Sequence, residues 1–471
     1  MQEILNNLPQ VATITLLIIF ALIVLQEAVN GFHDAANAVA TVIYSNSMRP
    51  NHAIWLSAGM NFVGVLLGGT AVAFGLVFLL PKDMVAGIHT SHEASMMLAL
   101  VLTAVVWNLA TWWYGIPNST THTYIGSVLG VSLAHAVIVG DNIGQAINWH
   151  QGEKVLLTLF ISPIFGFFLA WALYKGVKTF MTNPKLYEPH QPGVVPPNGV
   201  RFPLIGGLIG VSFLHGSNDG QKSIGLMLMV LMGLAPGLYA IDPVKDQKSY
   251  ERTLAVIQEM EEVVRPFIGD PRTPNADEFF AELEHLRDVA KRDWENRPIS
   301  EAERIEFRKE ILDVHDTLGR VMNAAEAHDM LSRQDYAKLE DAYRATTRLI
   351  ENVPFWLIVL SAVALGVGTM VGYKKIVETL GEKMGDKHMS PAQGLAAQAS
   401  AMGAIAAADG AGVPVSTTHV LTAGMAGAVQ SSGDQVQWNT IARILITWFT
   451  TLPGTLAASF CMAIVLHTAL V

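Results

Sequence analysis

Apolar residues along this chain fall into long runs separated by short polar stops. Uninterrupted runs lie near 11–29, 53–80, 95–115, 123–140, 155–174, 354–373 and 440–471, with shorter or interrupted ones near 203–238 and 395–431. A bilayer core takes about 20 helical residues per crossing, so the pattern predicts an all-α polytopic membrane protein of about ten to twelve transmembrane helices. No basic residue precedes the first run and no cleavage site closes it, so it is expected to stay as a helix rather than serve as a signal peptide. Between 239 and 352 the pattern changes. Ile305, Ile311, Leu312 and Leu318 recur at helix-like spacing among charges, and Ser300 with Glu303 reads as a capping box after Pro298. This predicts a soluble helical insertion, a hairpin or small bundle, in preference to a catalytic domain.

Charge sharpens the same division. Hydrophobic residues make up 51% of the 471, yet 40 acidic and 30 basic residues are more than buried membrane helices tolerate. From Tyr239 to Asn352 there are 17 Lys or Arg and 26 Asp or Glu, so −9 of the net −10 sits in the insertion. The single cysteine, Cys461, excludes an internal disulfide or a cysteine metal cluster. Within the insertion, His315-Asp316 and His328-Asp329 suggest a metal site, which a solvated helix face explains equally well.

Two polar segments recur inside the membrane part. Ile116-Pro117-Asn118-Ser119-Thr120-Thr121-His122 returns as Val413-Pro414-Val415-Ser416-Thr417-Thr418-His419, shifted by 297 residues, and Gly31-Phe32-His33-Asp34 aligns with Gly216-Ser217-Asn218-Asp219, shifted by 185. The two shifts differ by about the length of the insertion. The chain therefore divides into a first membrane repeat at 1–181, a linker at 182–202, the start of a second repeat at 203–238, the insertion at 239–352 and the rest of the second repeat at 353–471. Paired repeats with polar breaks are the pattern of secondary transporters, and an inverted arrangement with broken or re-entrant helices is expected.

The chemistry follows from these segments. Serine and threonine at a helix start, with free N–H groups and the positive dipole end, suit a bound oxyanion, so Ser119, Thr120, Thr121, Ser416, Thr417 and Thr418 are its candidate ligands, with Lys222 as the nearby cation. The alternative is ordinary helix capping, which the duplication makes less economical. Gly126 and Gly130, matched by Ala423 and Gly427, would let another helix approach closely. Asp34 and Asp219 are ionisable groups in apolar segments and are expected to have functional partners. With Asn37 and Asn218 they are candidate coupling-ion ligands, and a metal ion would fall to Asp34 and Asp219. A salt bridge of Asp219 to Lys222 is the plainer reading of that pair. Two carboxylates facing a dianion are unstable unless cations or protons enter with it, which favours coupled symport over a passive channel. Oxygen ligands suit Na⁺ or Mg²⁺, and protonation of a buried carboxylate does the same work.

At these residues the chain resembles the inorganic phosphate transporter family. GFHDAAN, GSNDGQK, IPNSTTH and VPVSTTH stand in the order of that family's paired motifs, and a hydrophilic central loop lies where the insertion does. The resemblance implies phosphate bound between the halves near the serine and threonine segments, with Asp34, Asn37, Asn218 and Asp219 serving the coupling ion or gating. His33 stands where many members have asparagine, and Asn61 and Gln398 where eukaryotic sodium-coupled members have glutamates, so these three join the coupling-ion candidates. GFHDAANAVATVIY is most similar to the proteobacterial branch, which implies proton-driven uptake of phosphate, as a neutral divalent metal phosphate, across a bacterial inner membrane.

No resident cofactor is expected; phosphate would travel with H⁺ or Na⁺, and with Mg²⁺ or another divalent cation. The partners expected are phosphate and the lipid bilayer, with a homodimer left open and no nucleic acid. Rival readings are a sodium-coupled phosphate symporter, a sulfate transporter of the same fold, a cation channel or exchanger, and a membrane metal-dependent phosphohydrolase built on His33-Asp34 and His215. The last lacks the dense ligand cluster of such centres. Lys175, Lys178, Lys185 and Arg201 against Glu188 argue for a cytoplasmic linker, 374–388 is also lysine-rich, and the family resemblance implies a cytoplasmic insertion.

Overall fold

The computed structural model describes residues 10–81, 84, 90–116, 118–143, 147, 149–188, 195–234, 255, 260–273, 275–290, 301–350, 353–371 and 389–471. The chain divides into two compact units, one built chiefly from Leu231–Asn352 and the other from Pro9–Pro81, His89–Val230 and Val353–Val471.

The larger unit begins with α1 (Gln10–Tyr44), α2 (Pro50–Leu67) and α3 (Ala71–Val77), followed by α4 (Thr90–Trp113), α5 (Thr120–Val139) and α6 (Trp149–Phe180). A second series follows: α7 (Asn198–Leu234), α11 (Phe355–Thr369), α12 (Pro391–Gly410), α13 (Thr417–Ser432) and α14 (Trp438–Leu470). Among the described residues six helices are long and apolar enough to cross a membrane, and α2 with α3, bent by 74° at Gly68–Thr70, makes a seventh if counted as one span. The apolar run at 53–80 is thus the broken one. Where the sequence suggests a break after the first run, α1 instead continues through His33 and Asp34 to Tyr44, and α7 runs unbroken through Asn218 and Asp219. Neither motif segment contains proline, so nothing there removes a backbone donor.

The two series pack crosswise. α5 lies against α14 and α13 against α6, so each STTH helix rests on the long proline-containing helix of the other series. The same exchange joins α1 to α11 and α2 to α7. A Cβ on Gly31 would come within 2.5 Å of the Leu365 carbonyl, and one on Gly216 within 2.1 Å of the Asn61 carbonyl. Reciprocally, a Cβ on Gly368 would meet the Ala28 carbonyl at 2.1 Å and one on Gly64 the Phe213 carbonyl at 2.1 Å. The shift of 185 carries Ala28 and Gly31 onto Phe213 and Gly216, and a shift of 304 carries Asn61 and Gly64 onto Leu365 and Gly368. The repeat therefore governs contacts as well as motifs. Lipid tails are as apolar as leucine, so such close backbone packing, rather than water exclusion, holds membrane helices together.

In the other unit, α8 (Ala276–Ala290) packs on α9 (Glu301–Ala327) and α9 on α10 (Arg333–Ile350). Phe279, Leu283, Phe307, Ile311 and Leu318 are buried there, one apolar face per helix. Ser300 and the side chain of Ile305 lie outside the described residues. His315 is buried, stacked on Tyr343 with ring centroids 4.1 Å apart and bonded through Nδ1 to Thr346. His328 is exposed and Asp329 ends a helix with φ of 52°. These pairs form no metal-ligand group among the described residues.

Candidate functional site

Both aspartates sit on helices that run through the bundle, and both are buried. They converge on one histidine: His215 Nε2 lies 3.5 Å from Asp34 Oδ2 and 3.4 Å from Asp219 Oδ2. These are ion-pair distances; neither His215 Nε2 nor Asp219 Oδ2 has a hydrogen-bonding partner in the protein. Buried polar atoms left in that state are costly and mark a place where a cation, proton or water belongs. Asp34, His215 and Asp219 form the one group among the described residues whose ligand atoms lie within 4.8 Å of one another, the reach of a single metal ion. His215 Nδ1 is 3.0 Å from Asn61 Oδ1, and Asn61 donates to Thr369 Oγ1 at 2.8 Å, so Asn61 orients the central imidazole.

The two STTH segments reach the same place. Ser119 and Ser416 are the N-caps of α5 and α13, accepting from the backbone N–H of His122 at 3.1 Å and His419 at 3.2 Å. Capping, weighed as the alternative to anion binding, does occupy both serine hydroxyls here. The threonines turn to the carboxylate centre: Thr418 donates to Asp34 Oδ1 and Thr417 to Asp34 Oδ2 at 3.4 Å. On the other side Thr120 donates to Asn30 Oδ1 at 2.8 Å, and Asn30 faces Glu27 at 3.5 Å. The imidazoles of His122 and His419 face each other with centroids 4.3 Å apart, so the repeated motifs meet directly.

Lys222 is fully buried and donates to Asp219 Oδ1 at 2.6 Å, Thr121 Oγ1 at 2.6 Å and the Val415 carbonyl at 2.9 Å. An ammonium has three N–H donors, and all three are spent on protein oxygens. The Asp219–Lys222 salt bridge thus forms, and an arriving anion would have to displace one of these bonds to reach the lysine.

The remaining candidates lie around this centre. His33 Nε2 is 3.3 Å from Thr111 Oγ1, while Asn218 donates to Asp409 Oδ1 at 2.6 Å and accepts from Val415 N at 3.2 Å. Gln398 is not brought to the carboxylates; it donates to Thr41 Oγ1 at 2.6 Å on the far part of α1. The side chain of Asn37 lies outside the described residues. Sequence reasoning missed Asn30 and Asp409, and weighed His215 only in a rival reading. Asp409 stands four residues before the second motif and takes hydrogen bonds from both Ser217 and Asn218. The repeat gave no signal for it, since the 297-residue shift takes Asp409 back to a tryptophan, Trp112.

A helical membrane bundle in which two related series present paired carboxylates and paired helix starts to one buried centre is the architecture of a transporter. The phosphate transporter (PHO4) family model matches residues 30–459, and the chain belongs to that family. It is 35% identical to "Low-affinity inorganic phosphate transporter PitA" of Escherichia coli strain K12, over 94% of this chain and 95% of that protein. It is 34% identical to "Low-affinity inorganic phosphate transporter PitB" of the same strain over the same shares. Among solved structures it is similar to "The sodium-dependent phosphate transporter", with a TM-score of 0.55 and 18% identity over 96% of this chain and 98% of that one. That likeness concerns the fold. The relatives are transporters, so the chain is a multi-pass membrane transporter and not an enzyme.

Proposed function

We propose that this protein is a secondary active symporter that imports inorganic phosphate, carried as a neutral divalent metal phosphate, down a proton gradient. The observation that carries the reading is the convergence of Asp34, Asp219 and His215 beside both pairs of motif threonines. With Lys222 counted, these groups sum to −1 with His215 neutral and to zero with it protonated, and a dianion added to them would leave −3 or −2. So large a buried imbalance has no place in a dry site unless positive charge arrives with the anion. A proton on the centre supplies part of it, and a divalent ion bound to phosphate supplies the rest. The phosphate is then held at the starts of α5 and α13, where free backbone N–H groups and the threonine hydroxyls lie, once it displaces their present partners.

The reciprocal packing of the two helix series supports an inverted repeat, the arrangement that lets one site open to either side. The lysine-rich segment at 175–201 supports a cytoplasmic face for that end of the bundle and, with it, a bacterial inner-membrane location. Proteoliposome uptake of labelled phosphate under imposed pH or sodium gradients, with and without Mg²⁺, tests the reading. Accumulation driven by the pH gradient and raised by Mg²⁺ is expected. Accumulation driven by sodium alone would reassign the coupling ion, and uptake by neither gradient would sink the symport mechanism.

A further inference from the structure

The environment of Lys222 is better suited to a metal cation than to an amine. A carboxylate oxygen, a hydroxyl and a backbone carbonyl surround its Nζ at 2.6, 2.6 and 2.9 Å, which is the oxygen set a hard cation takes. These ligands come from three parts of the chain: α7, the start of α5 and the segment before α13. The ammonium therefore ties both motifs to one aspartate, as a bound ion would.

The repeat gives this site a counterpart. The 185-residue shift takes Asp219 back to Asp34 and Lys222 back to Asn37, and the 297-residue shift takes Thr121 to Thr418 and Val415 to Asn118. Half of that correspondence is visible as contact, since Thr418 donates to Asp34 as Thr121 stands against the Asp219 ion pair. The first-repeat counterpart thus has the same carboxylate and hydroxyl, while the sequence position that matches Lys222 holds an uncharged amide, Asn37, in place of a fixed positive charge.

We propose that Lys222 is a tethered cation filling, in the second repeat, a coupling-cation site whose counterpart at Asp34 and Thr418 stays exchangeable. The two sites began equivalent under the repeat; a lysine now occupies one permanently, and only the other loads and releases an ion or proton in each cycle. This rests on the symport reading and narrows it. It also accounts for a fully buried lysine with no donor left for phosphate.

The test is to restore the symmetric residue. Lys222→Asn leaves Asp219 without its cation, and sodium is the probe offered to refill the site. Equilibrium binding of ²²Na⁺ to purified full-length protein in detergent is expected to show about one more ion per chain in Lys222→Asn than in the parent, one vacated site taking one cation. Sodium, but not choline, is expected to raise the thermal unfolding midpoint of the variant more than that of the parent, because a ligand of the folded state stabilises it. The doubly neutral variant Asp219→Asn/Lys222→Met is expected to fold and to gain no site. Equal sodium counts in folded Lys222→Asn and parent would overturn the proposal. So would recovery of the neutral double variant when Lys222→Asn cannot be recovered even in sodium. If neither is recovered, Asn37→Lys decides: a lysine at the position that matches Lys222 should abolish gradient-driven accumulation in the folded, inserted protein, and unchanged accumulation overturns the idea. Sodium counts are read without transport, so they stand apart from the uptake assay that judges the symport reading.

Discussion

At the residue scale the two aspartates are related by sequence yet differently placed. Asp34 is held by threonine hydroxyls and His215, whereas Asp219 carries a full ion pair with Lys222. Asp34→Asn and Asp219→Asn are both expected to abolish proton-driven phosphate accumulation in proteoliposomes. They should differ in stability, because Asp219→Asn strands a buried ammonium at a cost of about 3–5 kcal/mol, and Asp34→Asn strands no fixed charge. Thermal unfolding in detergent reads that difference, and equal losses would contradict the assigned pairing. The motif serines separate capping from anion contact. Ser416→Ala should cost about 1 kcal/mol of stability and Ser416→Gly only a few tenths, since glycine is itself a tolerated N-cap. Apparent phosphate affinity should weaken in both if the hydroxyl also meets the anion, and recovery of affinity in the glycine variant would confine Ser416 to capping.

At the element scale the helices are positioned by backbone approaches that only glycine allows. On Gly427 a Cβ would meet the Phe167 carbonyl at 2.1 Å, where α13 lies on α6. Gly427→Leu is therefore expected to lower the unfolding midpoint sharply, with an overpacking cost of about 1–3 kcal/mol or more because the opposing atom is main chain. Gly59→Leu on α2 meets nothing within 4 Å and should leave the midpoint near that of the parent, as fluorescence-detected size exclusion after heating would show. The small residues four apart in α5 announced such an approach, and a Cβ on Gly130 would come within 2.2 Å of the Leu456 carbonyl of α14. Which helix they meet was not legible. A small-residue face states that something comes close, and the partner is fixed only by the crosswise exchange between series.

At the scale of the whole molecule, charge separates the two units. Nearly all of the net charge lies in the insertion, whose helices bury their own apolar faces, while every candidate coupling and anion residue belongs to the membrane unit. Replacing 239–352 with a flexible Gly/Ser linker is expected to retain gradient-driven phosphate uptake; loss of uptake in a correctly inserted protein would give the insertion a part in the transport cycle.

The sequence by itself determined the class of fold, the two pairs of repeated motifs and a short list of candidate residues, because hydropathy, motif identity and charge are properties of local composition. It pointed to Asp34, Asp219 and the STTH segments, since a polar group kept twice in apolar surroundings needs a reason. Tertiary structure decided the partnerships. That His215 stands between the aspartates, that Asp409 receives Asn218, that Gln398 turns to Thr41 and that Lys222 is enclosed by oxygens from three segments all depend on contacts between residues up to hundreds of positions apart. Those contacts follow from how helices cross, and a helix crossing is set by the fit of two surfaces that no single stretch of sequence contains.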